Sequence, residues 1–159
     1  MRDKRFIAVH RGGSLTRDNH NKLIGWAERC SERVLSLIEE DIDNRLLYAL
    51  HVAKEWETEN VKTGKAMIAS QGAHAVARES SDPVIIAVAR SVGHTVATAH
   101  MADHAPGGAL YALKAVKLAG KSIEQERKWQ TGQLQKLPSV LVELVMPILK
   151  QKAKSLKVE

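Results

Sequence analysis

The chain is poor in the residues that announce most chemistries. It has a single cysteine, Cys30, which excludes an internal disulfide framework and a cysteine-based zinc cluster. Cys30 falls at helical spacing among Trp26, Ala27, Val34 and Leu37, where a packing role is the expectation. Aromatic residues make up only 4% of the chain, so stacking platforms for single-stranded nucleic acid are scarce. No apolar run approaches the roughly 20 residues of a membrane span, and no signal-peptide core opens the chain. A cytoplasmic protein is therefore expected. No Gly-x-Ser-x-Gly nucleophile motif is present, and the glycines at Gly12-Gly13 lack the Lys-Ser/Thr ending of a phosphate loop.

Basic residues are present but concentrated. The net charge of +6 sits in the first 17 and last 14 residues, at +4 and +3, while the stretch between them sums to −1. Arg2, Lys4, Arg5 and Arg11 could form a phosphate-binding patch with Lys150, Lys152 and Lys154 if the termini meet. The near-neutral middle lacks a basic helix suited to a groove, which argues against nucleic acid as a partner. Glu55, Glu57, Glu59, Glu124 and Glu126 fall on faces that read as solvated. With no general acid–base pair nominated, the chain reads as a non-enzyme.

Helical periodicity dominates the rest. After an N-terminal arm over 1–15, read as extended, Thr16 caps a first helix whose stripe (Leu23, Trp26, Ala27, Cys30, Val34, Leu37) carries it to about Glu40. A second helix holds Leu46, Leu50, Ala53 and Trp56, and a third starts near Thr63 with Ala66, Ala69, Ala73 and Val76. Asp82-Pro83 pairs a capping carboxylate with a proline whose missing amide costs nothing at a helix start. The fourth helix is expected to run from there to Ala105, where Pro106 stops it. Gly107-Gly108 then lead into a fifth helix that Gly120 closes. A sixth follows the capping box at Ser122, and a seventh runs from about Ser139, kinked at Pro147. The expected fold class is all-α: a single domain over 1–159, about seven helices, no substantial sheet, and a basic tail over 150–159. The amphipathic last helix either closes the core or supplies a homodimer face.

The candidate site lies in the fourth helix and its neighbour. His94, His100 and His104 fall within one stretch, with His74 on the preceding helix. His100 and His104, four apart, would share a helix face and are the weak candidates for a metal. His94 would lie about 9 Å up the axis and about 120° around it, so a third ligand has to come from elsewhere. His74, His94, His100 and His104 are thus candidate ligand-binding residues, with hydrogen-bonded structural histidines as the favoured reading. No cofactor is implied.

Several segments carry a resemblance. They are Arg11 to Thr16, Trp26 to Leu35, Ala49 to Trp56, Ala73-His74-Ala75-Val76-Ala77-Arg78, and Gly93-His94 through Ala99-His100 to Ala115. In these the chain resembles the bacterial Imm-5-like immunity proteins over residues 5–135. The resemblance implies a small cytoplasmic helical protein that binds and neutralises a cognate toxin without turnover. It carries over no partner-contact residue.

Overall fold

The computed structural model describes residues 3–58 and 60–159. The expectations for Arg2 and Glu59 fall outside the described residues. Among the described residues seven α-helices form the body: α1 (Arg17–Val34), α2 (Asn44–Glu57), α3 (Thr63–Glu79), α4 (Pro83–Ala97), α5 (Ala105–Leu118), α6 (Ile123–Leu134) and α7 (Ser139–Leu156). Among the described residues there is no strand ladder, only an isolated bridge between Ala8 and Leu15. The all-α expectation holds.

The helix starts are set by side chains that satisfy the first free amides. Thr16 Oγ1 accepts from Asn19 N at 3.1 Å, Asp43 from Arg45 N at 2.9 Å, Asp82 from Val84 N at 2.8 Å and Ser122 from Gln125 N at 3.2 Å. Gly120, at φ 75°, lies just past the end of α5, and its N–H donates to the Lys117 carbonyl.

Helix α4 sits in the middle, packed against α1, α2, α3 and α5. One apolar cluster joins α1 to α5 through Ile24, Leu46, Trp56, Ala73, Val88 and Val92. A second ties the N-terminal segment, α1, α5, α6 and α7 through Phe6, Leu23, Trp26, Ala109 and Leu144. Helix α1 borders both clusters, so more of its circumference is buried than one stripe predicts.

Several expected boundaries move. Helix α1 ends at Val34 instead of Glu40; Leu35–Leu37 tighten into a 3₁₀ turn and Ile38 is extended. That bend lets Leu35, Leu37 and Ile38 pack on the first cluster. Helix α4 ends at Ala97, because the Thr98 hydroxyl bonds back to the His94 carbonyl and the Thr98 carbonyl accepts from a side chain of α1. Pro106 does not stop α4. It lies in the first turn of α5, where a proline sacrifices no hydrogen bond, and Gly107 and Gly108 are inside that helix. The N-terminal arm is coiled rather than extended, with 3₁₀ turns at Lys4–Phe6 and Val9–Arg11. The basic tail is structured as well. Helix α7 runs through Pro147 to Leu156, and Val158 is buried.

Candidate functional site

The face of α4 turned toward α1 is polar but sealed. Ser31 of α1 lies 2.8 Å from Ser91 and 2.7 Å from Thr95, hydroxyl to hydroxyl. Ser91 also reaches the Gly108 carbonyl at 2.7 Å, and Thr95 the Ala27 carbonyl at 3.1 Å. Three hydroxyls supply three protons for these four contacts: Ser91 and Thr95 donate to the two carbonyls, and Ser31 donates to one of the two hydroxyls, so every donor is used and none is left for a ligand. It ties α1, α4 and α5 together at a depth water does not reach.

On another side of α4 the histidines gather, in a different grouping from the one expected. His100 and His104 do not share a helix face, since α4 has already ended and only Ala102–His104 form a 3₁₀ turn. His94 is the centre instead. Its Nδ1 lies 3.3 Å from His104 Nδ1, its ring is edge-on to His74 at 5.3 Å, and Tyr111 of α5 stacks on it at 5.2 Å and 7°. His74 Nδ1 accepts from the Arg90 guanidinium at 2.7 Å, which leaves its proton on Nε2. Glycines create the room for these rings. A Cβ on Gly93 would fall 2.5 Å from His74 Nε2, and one on Gly107 would fall 3.0 Å from the His94 ring.

Electrostatics keep His94 and His74 neutral. Burial, followed by the neighbouring His104, His74, Arg90 and Lys152, pushes His94 down to about 4. Burial and then Arg90 lower His74. Neutral imidazoles suit metal ligation, but among the described residues no three metal-ligating side chains converge. His94 and His104 offer two nitrogens, and the rings fill the space between helices with one another.

His100 lies in a separate small cavity of about 70 Å³, where the N-terminal segment crosses the starts of α1 and α3. Its neighbours there include Arg11, Arg17, His20 and Trp56. His20 is not among the candidate residues read from the sequence. It is 7% exposed, donates from Nε2 to the Thr98 carbonyl at 2.5 Å and packs its ring 4.6 Å from Trp56. The signal was present, because His20 continues the Leu23–Ala27 stripe one turn toward the N-terminus. Glu28 was also missed. It is 2% exposed, and burial followed by the adjacent Glu32 pushes its carboxyl up to about 8, with Lys54 Nζ 3.6 Å away.

Residues 13–137 match the family described as Imm-5 like putative immunity protein. The chain belongs to this family. The match encloses the hydroxyl network, all four candidate histidines and Tyr111, while α7 and the coiled N-terminal segment lie outside it. No curated protein and no solved structure matches the chain.

Proposed function

We propose that this Imm-5-like protein neutralises a bacterial toxin in the cytoplasm by binding it stoichiometrically, with no catalytic step. Family membership over residues 13–137 is the observation that carries this reading. Two features agree with it. The hydroxyls of Ser31, Ser91 and Thr95 and the rings of His94 and His104 are engaged with one another and with neighbouring groups rather than turned toward solvent. The outer face of α2 and α3 meanwhile keeps large apolar side chains in solvent, Tyr48 at 46% and Ile68 at 70% exposure, the kind of residue that anchors protein interfaces.

The test is co-expression with toxins encoded beside the gene, read as survival and as co-purification. Protection by the wild type, lost in Tyr48→Ala/Ile68→Asp while the melting temperature stays unchanged, is the expected result. Absence of rescue by the wild type against every neighbouring toxin overturns the reading. A role for His74, His94, His100 and His104 in binding a small ligand or metal is the alternative. Unchanged melting with added divalent metals and no metal in the purified protein would leave these residues structural.

A further inference from the structure

On a different side of α5 from the histidines, the helices part around a cavity of about 310 Å³, at the lower end of the roughly 300–1,000 Å³ typical of small-molecule sites. Leu110 and Leu113 of α5, packed against Ala153 of α7, line it together with Met146 and Leu149, and Gln130 and Thr131 of α6 add polar groups. Gln130 is fixed in place: its Nε2 donates to the Ala109 carbonyl at 2.9 Å, and its own carbonyl accepts from Trp26 Nε1 at 3.0 Å.

The end of α7 is pinned. Lys114 donates to the Leu156 carbonyl at 3.2 Å, Lys117 donates to the Lys157 carbonyl, and the Arg127 guanidinium donates to the Val158 carbonyl. Cations meeting the carbonyls of a helix C-terminus are favourable, and here they hold α7 in place beside the gap. A gap of this size forgoes the dispersion contacts a filled interior would have. Its rim carries charge of predominantly one sign. Arg127, Lys150 and Lys154 border it against the single acid Glu159, and neither lysine forms an ion pair among the described residues.

We propose that this cavity binds a single-chain amphiphile with an anionic head, of the fatty-carboxylate class. The apolar chain lies among Leu110, Leu113, Met146, Leu149 and Ala153, and the carboxylate rests at Lys150 and Lys154. An apolar interior selects the chain, and the cationic rim selects the sign of the head. The site does not depend on the toxin-binding reading and involves none of the α2–α3 face.

Titration of the full chain with dodecanoate below its micelle-forming concentration, followed by calorimetry and amide chemical shifts, tests this. Expected is one-to-one saturable binding, with shifts centred on Leu113 and Ala153. Dodecyltrimethylammonium, with the same chain and opposite charge, should bind about tenfold or more weakly, and Lys150→Glu/Lys154→Glu should weaken dodecanoate by a similar factor. Ala153→Trp fills the cavity and should abolish binding; if that variant does not fold, Met146→Trp takes its place. No saturable binding, equal binding of the two head groups, or undiminished binding in a folded filled variant would each overturn the proposal. So would sedimentation of the protein with phosphatidylglycerol vesicles when free dodecanoate gives no binding.

Discussion

Helix α5 meets its neighbours on two sides, and the sides are built differently. Toward α4 it presents Gly107 and Gly108, and the backbones come so close that a Cβ on Gly108 would fall on the Thr95 hydroxyl. Toward α6 and α7 it presents Leu110 and Leu113, and there the packing leaves a cavity of about 310 Å³. The closed side lies wholly inside the family match, whereas α7 on the open side lies outside it. Small residues closed one interface by letting hydroxyls and rings interlock. Large residues on the other pack against Ala153 and Val158 and still border a cavity.

The sharpest way to break the closed side is Gly108→Ala. The new methyl would displace Thr95 Oγ1 from its contacts with Ser31 and the Ala27 carbonyl, because Ala27 Cβ, 3.4 Å from the same point, blocks retreat. We expect a loss of about 3 kcal/mol in urea unfolding, at the upper end for overpacking. Gly132→Ala is the control. Nothing lies within 4 Å of its added Cβ, so helix propensity should make it stabilising by about 0.5–1 kcal/mol. Equal effects at the two positions would show that close approach at Gly108 is not what glycine supplies.

That contrast also explains what the sequence made legible. Helix number and caps were readable because Thr16, Asp82-Pro83 and Ser122 act locally, through amides two or three residues away. The end of α4 was not, since it depends on His20, 78 positions away in the chain, donating to the Thr98 carbonyl. Pro106 misled for a related reason: proline is compatible with both an end and a beginning, and only the placement of α5 decides between them. The histidine group was half readable. His74 and His94 each follow a small residue on neighbouring helices, but counting residues along one assumed helix paired His104 with His100. The fold pairs it with His94.

Acid should loosen the closed side next. His94 is held neutral, with its folded value near 4 against an ordinary 6.5, so between those values the unfolded chain binds more protons than the folded one. Stability from this group is present above about pH 6.5 and is lost as pH falls toward 4, by about 2 kcal/mol once the partial exposure of the ring is allowed for. Glu28 acts in the opposite sense. Its folded value near 8 against an ordinary 4.5 makes the folded state the better proton binder, so its contribution is lost as pH rises through that window. The two partly cancel between 4.5 and 6.5. Glu28→Gln removes the opposition and should steepen the acid loss, and adding His94→Gln should flatten it again. Lowered carboxylates such as Asp43 also lose stability toward pH 4, so the comparison of the two variants, not the wild-type slope, isolates His94. Parallel slopes in the two variants would show that burial of this ring is not felt as a protonation penalty.

The smallest effect belongs to the open side, and its sign is the informative part. Ala153 is buried beside Leu110 and Leu113 but borders the cavity, so a larger apolar side chain there can extend into that space without displacing a hydroxyl or a ring. Ala153→Leu should therefore raise stability by about 1 kcal/mol, through apolar area removed from water and good helix propensity. An increase in the urea midpoint with an unchanged slope is the expected measurement. Enlargement then costs about 3 kcal/mol on one face of α5 and returns about 1 on the other, although both faces are buried. Destabilisation by Ala153→Leu would mean that the α5–α7 contact is as intolerant of added volume as the α4–α5 contact, and the difference between the two sides would lie in residue size alone.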